Sequence, residues 1–223
     1  MCEYFSCIIQ RDLTVLWDKL TTSHEEIIKN NNLKDDKLDN RDFVRIEINP
    51  KDKYNVTKEK SSWEFKIDEK GTLPKWYEKH SKMAEQKCWE AWEESIKIQC
   101  VFSGESKTFK NCLGFGYGNS TVEACGNSTV KAYNDSTVEA WGNSTVKAYG
   151  NSTVKAYDNS TVKAYNDSTV KAWDNTTVKI LSYSNVDIKN ISIKENAQII
   201  NLNKKEIIVC KNIFKIKEVK KNV

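Results

Sequence analysis

"GNSTVKAYGNSTVKAY" (Gly142–Tyr157) is one eight-residue phrase written twice. Lightly varied, the phrase recurs without interruption from Gly118 to Leu181. Each octad opens with a turn pair (Gly-Asn, Asn-Asp or Asp-Asn). It continues Ser/Thr-Thr-Val-Lys/Glu, then Ala in all but the last copy, and most copies close on Tyr or Trp. Alternation sets Ser, Val and Ala on one face and Thr, Lys/Glu and the aromatic on the other. Val and Thr suit strands, and Gly, Asn and Asp suit the backbone angles of tight turns. A helix is excluded, because a period of eight does not fit 3.6 and turn residues recur in every copy.

Two β architectures accommodate the period. In an antiparallel meander, pairing across Gly126-Asn127 sets Cys125 opposite Ser128, Ala124 opposite Thr129 and Glu123 opposite Val130. Both faces are then mixed and the register is poorly specified. In a parallel solenoid, Val stacks on Val and Ala on Ala inside, while Thr, Lys and Tyr form outward columns. The solenoid explains both the identity and the period of the octads.

The interior offers only Ser, Val and Ala, which fill a thin space between two facing sheets but leave a three-sided tube hollow. The expected coil is therefore two-sided, with about 16 residues. It stacks Lys131, Lys147, Lys163 and Lys179 in one column and Tyr133, Tyr149 and Tyr165 in another. The opposite sheet stacks Glu123, Glu139, Lys155 and Lys171, with Cys125, Trp141, Tyr157 and Trp173 alongside. A coil of 24 residues gives more mixed columns. The octads then make four coils rising about 19 Å.

A solenoid needs capped ends. "KNCLGFGY" (110–117) reads as a degenerate leading octad. Beyond Leu181 larger apolar residues (Val186, Ile188, Ile191, Ile193, Ile199, Ile207, Val209, Phe214) predict irregular strands that close the far end, with "FKIKEVKKNV" as a charged edge. Residues 1–101 form a separate small α+β unit of order ββαββα, expected also to serve as the N-terminal cap; 102–181 is the solenoid and 182–223 the C-terminal β cap. In the first unit, "YFSCIIQ" and "TVLWD" form a hairpin around Arg11-Asp12. "SHEE" (23–26) is a capping box that starts a helix, with His24 expected at the surface. "FVRIEI" and "WEFKI" are strands with one buried face. Pro74 opens a helix of about 22 residues whose apolar stripe reads Trp76, His80, Met83/Ala84, Cys88, Trp92 and Ile96.

The 223 residues carry a formal net charge of +4. Gly118–Leu181 is neutral, with six Lys against six acids, and Ser182–Val223 holds nine Lys against four acids. That leaves 20 bases against 21 acids in the first 117 residues. No apolar run is long enough for a membrane span, and "MCEYFSCIIQRD" lacks the basic start of a signal peptide. The seven cysteines never form Cys-x-x-Cys, which points to free thiols in a reducing cytoplasm. The Asn-x-Ser/Thr matches are by-products of the repeat.

No catalytic constellation emerges. His80 sits on an apolar stripe, and neither histidine is near a cysteine in a pattern that marks a nucleophile. Cys2, Cys7 and His24 lack the close pairs of a zinc site. Glu90, Glu93 and Glu94 fit a solvated helix face. "GFGYG" (114–118) has no basic residue or helix to make a phosphate loop. The octads lack a repeated acidic set for calcium. The expectation is no enzyme, no cofactor and no metal.

The outward columns supply the candidate binding residues: Lys131, Tyr133, Trp141, Lys147, Tyr149, Tyr157, Lys163, Tyr165 and Trp173, with Tyr183 nearby. So many aromatics in register exceed ordinary surface need and suggest a partner. Lys on phosphates and Tyr on bases is one use, although the array is neutral overall. Stabilisation of the stack itself is another.

The octads of 118–181 resemble those of β-solenoid repeat proteins of bacteria and their phages, in which GNSTVKAY-type units are iterated. "SHEEII", "FVRIEI", "WEFKIDE" and "PKWYEKH" resemble a domain that precedes such arrays in phage-type proteins. The resemblance implies the architecture and a phage or mobile-element setting, and it assigns no functional residues. By analogy with other small β-solenoids of mobile elements, the expected function is non-enzymatic: binding and blocking a host defence complex in the bacterial cytoplasm, in an anti-CRISPR-like manner. Alternatives are a repeat spacer that oligomerises, for example as a homodimer, and an RNA- or DNA-binding protein using the Lys-Tyr face.

Overall fold

A computed structural model describes residues 4–34, 41–53, 55–69, 71–180, 191–202, 204–209 and, for the backbone, 212–215. The chain divides into two compact units, Met1–Cys100 and Val101–Val223.

In the first unit, β1 (Phe5–Gln10) and β2 (Val15–Leu16) form the expected antiparallel hairpin. The Asp12 carboxylate accepts from the Thr14 amide in the turn, which holds the Asp12 carboxyl below the usual range. Helix α1 (His24–Asn30) starts where Ser23 Oγ accepts from the Glu26 amide at 3.4 Å. Strand β3 (Phe43–Pro50) alternates as its sequence does, with Val44, Ile46 and Ile48 buried. After a 3-10 turn at Lys60–Ser62 comes β4 (Trp63–Ile67). The sheet order is β2-β1-β3-β4, antiparallel throughout. Helix α2 (Lys75–Gln99) lies against β1.

Two expectations for this unit need correction. The buried face of α2 is Tyr77, Ala84, Cys88, Trp89, Trp92, Ser95 and Gln99, while Met83 is exposed and His80 and Ile96 are half-buried. Ala84, Cys88 and Trp92 of the expected stripe are buried, but its ends are not: Tyr77 replaces Trp76 and Ser95 replaces Ile96, while Trp89 joins the face by packing edge-on against Trp92, which also meets Trp63, with centroids 5.2 and 5.3 Å apart. His24 is buried, with 4% of its surface exposed. It shares a helix face with Ile27 and Ile28, three and four residues on, and that spacing carries the ring inward despite its polar neighbours.

The second unit is the predicted parallel β-solenoid with coils of about 16 residues. After β5 (Cys100–Val101), β6 (Ser106–Lys110) and β7 (Leu113–Gly116), the octads supply one strand each. These are β8 (Thr121–Cys125), β9 (Thr129–Ala132), β10 (Thr137–Ala140), β11 (Thr145–Ala148), β12 (Thr153–Ala156), β13 (Thr161–Ala164), β14 (Thr169–Ala172) and β15 (Thr177–Ile180). Alternate strands pair in parallel with like residues in register, as Val138 beside Val154 and Val146 beside Val162. From β5 to β17, odd-numbered strands build one sheet and even-numbered strands the other. The interior is a continuous row of Val and Ala, each of them buried.

The corners explain the turn pairs. Their first residue is left-handed in each octad: φ is +65° at Gly126, +69° at Gly142, +58° at Asn134 and +57° at Asp158. Gly adopts this region freely, and Asn and Asp tolerate it better than other residues. At three corners the hydroxyl of the following Ser128, Ser136 or Ser160 reaches back three residues. Ser136 Oγ donates to the Tyr133 carbonyl at 2.9 Å and Ser160 Oγ to the Tyr157 carbonyl at 2.7 Å. That bond satisfies a hydroxyl in the thin interior, whereas the Ser120, Ser144, Ser152 and Ser168 hydroxyls are buried without a protein partner. Corner acids bridge coils, the carboxylate of Asp158 accepting from the Gly142 amide and that of Asp174 from the Asp158 amide.

"KNCLGFGY" does form a leading octad, since Leu113, Gly114, Phe115 and Gly116 stand in register with Thr129, Val130, Lys131 and Ala132. Its interior departs from the repeat in a compensated way. Gly114 stands where the octads have Val, and Phe109 of β6 fills the space beside it, so that a Cβ on Gly114 would run into the Phe109 ring. Beyond the array, β16 (Ile191–Ile193) and β17 (Gln198–Asn201) continue the two sheets in parallel. Then β18 (Glu206–Val209) and β19 (Asn212–Lys215) reverse direction and pair antiparallel. The C-terminal cap is therefore a hairpin laid on the last coil. Val186, Ile188, Tyr183, the Phe214 side chain and the terminal lysines lie outside the described residues, as does Cys2.

Candidate binding surface

The two sheets present different outward faces. On the odd-numbered sheet, Thr129, Thr145, Thr161 and Thr177 form one column and Lys131, Lys147, Lys163 and Lys179 another. Positive side chains thus follow one another at a strand spacing of about 4.8 Å. On the even-numbered sheet the equivalent column reads Glu123, Glu139, Lys155, Lys171. There Lys155 Nζ meets Glu139 Oε1 at 2.8 Å, which pushes the Lys155 ammonium pKa up. In the described coils one octad face is +4 along its column and the other is neutral.

The aromatics stand at the ends of the strands, where the chain turns from one sheet to the other. Tyr133, Tyr149 and Tyr165 stack with centroids 5.1 and 4.6 Å apart and planes 10–13° apart. Trp141, Tyr157 and Trp173 stack at 4.1 and 4.8 Å. The first column follows odd-numbered strands and the second follows even-numbered ones, so they occupy opposite edges of the flattened coil. The nine predicted residues therefore do not share one surface. Lys131, Lys147, Lys163, Tyr133, Tyr149 and Tyr165 come together on one sheet and its edge; Trp141, Tyr157 and Trp173 form the other edge.

Stacking also decides which part of each ring is presented. Ring faces within a column are spent on one another, which leaves the ring edges to any partner. Burial pushes the Tyr165 phenol up, while a hydrogen bond with Tyr149 acts in the opposite direction. A base-stacking platform needs open ring faces, and within these columns the faces cover one another. The tyrosine column also extends further than the octads indicate. Tyr117 stacks on Tyr133 at 5.4 Å, and Phe102 and Phe115 flank Tyr117. Aligning "KNCLGFGY" with an octad puts Tyr117 in the aromatic position, which is the signal that finds it.

No protein family, curated protein or solved structure matches the chain. Among the described residues no helix is long and apolar enough to cross a membrane.

Proposed function

We propose that the protein is a non-enzymatic binding module whose working surface is the odd-numbered sheet face with its tyrosine edge, and that its partner is a protein with an acidic surface. The carrying observation is the in-register column Lys131–Lys147–Lys163–Lys179 beside the stacked Tyr133, Tyr149 and Tyr165. Neighbouring ammonium groups at this spacing repel by up to ~1 kcal/mol in water. The other sheet relieves such repulsion with its Glu139–Lys155 pair. A column of four like charges in register suits an anionic counterpart. Because the strands are held in register, little ordering entropy is lost on binding.

The finer reading rests on the resemblance of the octads to repeat proteins of bacteria and their phages. In that setting the partner is a host defence complex in the bacterial cytoplasm, blocked sterically. The stacked rings favour a protein partner over a single-stranded nucleic acid, since tyrosine faces within the column cover one another.

The experiment is affinity capture from the bacterial host, comparing the wild type with Lys147→Glu/Lys163→Glu and with Lys155→Glu as a control on the opposite sheet. Selective loss of one captured protein in the double variant alone supports the proposal. Equal capture by all three refutes it. Salt-dependent binding of single-stranded RNA or DNA, weakened by the same double variant, would assign the face to nucleic acid instead. Concentration-dependent self-association without capture would assign the array to a spacer.

A further inference from the structure

Outside the solenoid, one side-chain cluster in the N-terminal unit has the geometry of a metal site. The buried His24 ring places Nε2 2.9 Å from the Ile46 carbonyl. A carbonyl oxygen only accepts, so Nε2 carries the hydrogen, and in the neutral ring Nδ1 presents a lone pair. That nitrogen faces Asp68 Oδ2 at 3.2 Å. Glu47 completes the group, and one ligand atom from each of the three lies within 4.8 Å of the others. A lone pair and two carboxylates held within 4.8 Å of one another repel unless something positive lies among them.

We infer that His24 Nδ1, Glu47 and Asp68 bind a divalent metal ion of the zinc, manganese or cobalt class. One imidazole and two carboxylates are the donor types these ions take. Calcium would require about 6–8 oxygen ligands. The Nε2 bond to Ile46 is the outer contact that metal-bound imidazoles characteristically make, fixing tautomer and ring orientation together. Ligand atoms of a tetrahedral zinc site about 2.0–2.2 Å from the ion stand somewhat over 3 Å apart, and the His24–Asp68 separation already matches.

The scaffold holds all three donors. Glu47 follows Ile46 on β3, and its Oε2 accepts from Asn49 Nδ2 at 3.1 Å. The Asp68 amide donates to the Arg45 carbonyl at 2.9 Å, fixing the residue just beyond β4. Asp68 is about half exposed, so water or a further ligand can complete the coordination from that side. Two rivals for the positive charge are a proton on Nδ1 and the Lys66 ammonium, which stands across from Glu47 on β4.

The test uses the full chain, stripped with a chelator and titrated with Zn2+ by calorimetry and with Co2+ by absorption spectroscopy. One Zn2+ per chain is expected, with cobalt d–d bands and no thiolate charge-transfer band. Asp68→Asn and Glu47→Gln, each nearly isosteric and at solvent-facing positions, should weaken Zn2+ binding by about tenfold or more. Their metal-free circular dichroism should match the wild type. His24→Gln should abolish binding; because it also empties a buried position, the two carboxamide variants are decisive. The inference is overturned if neither Zn2+, Mn2+ nor Co2+ shifts the melting temperature at an excess of roughly 100-fold. It is equally overturned by undiminished Zn2+ binding in both carboxamide variants, or by a cobalt spectrum that reports thiolate ligands.

Discussion

Trp141 and Tyr157 stack with centroids 4.1 Å apart and planes 10° apart, although a full coil of chain separates them. Parallel pairing of like positions brings them together, because Ala140 stands beside Ala156. Ring contact is therefore a consequence of register, and it reinforces the register that produced it.

Tyr157 stacks on both Trp141 and Trp173. Tyr157→Ala removes two contacts, each worth about 0.5–1.5 kcal/mol beyond area burial, so a loss of about 1–3 kcal/mol is expected in urea unfolding. Lys163→Ala should change stability by less than about 0.5 kcal/mol. Equal effects of the two substitutions would show that the stack contributes nothing of its own.

Gly114 and Phe109 share one volume. Restoring the repeat residue with Gly114→Val should destabilise by about 1–3 kcal/mol through overpacking. Phe109→Ala should cost about 3–5 kcal/mol through a cavity. The double variant should fall short of the sum by about 1–3 kcal/mol. Strict additivity in the cycle would show that the two residues do not compensate.

Gly142 lies at φ +69°, and a Cβ there would sit 3.2 Å from the Gly126 carbonyl oxygen. Gly142→Ala is expected to cost about 1–2 kcal/mol, and Gly142→Asn less, since Asn134 and Asn166 already adopt this conformation at other corners. Thermal denaturation of the pair checks the order; Ala tolerated better than Asn would contradict it.

The Cys7 thiol is pushed well above its usual 9.0, first by burial and then by the neighbouring Cys88, and burial likewise raises the Tyr77 phenol. Both groups hold their protons when folded and release them at lower pH when unfolded. The unfolded chain then binds fewer protons, so stability is complete below the ordinary thiol value and falls as pH rises past it. Urea midpoints from tryptophan fluorescence should therefore decline above about pH 9 and more steeply above about pH 10. A flat profile to pH 11 would contradict these burials, and so would labelling of Cys7 by a thiol reagent in the native state.

Register and coil length were legible because eight is an even number and the octads are nearly identical. A strand whose inward residues are always Ser, Val and Ala has one pairing that keeps them inward. The turn residues were legible for a similar reason, since Gly, Asn and Asp mark the left-handed position by their chemistry. The centre of the α2 face, Ala84, Cys88 and Trp92, was legible from spacing, whereas its ends and Trp89 depend on the partners they meet, Trp89 packing against Trp92 and Phe65. His24 was misread because its neighbours in sequence are polar, although Ile27 and Ile28 on the same helix face indicated burial.

Local repetition by itself determined the β-solenoid, its two sheets and the columns of Lys, Tyr and Trp, since a period of identical units admits few ways to bury the same side chains in every turn. Tertiary structure alone decided that the rings within each aromatic column turn their faces to one another. It also decided that His24 meets Glu47 and Asp68. Both outcomes depend on where the chain folds back in space, and residues distant in sequence carry no mark of that meeting.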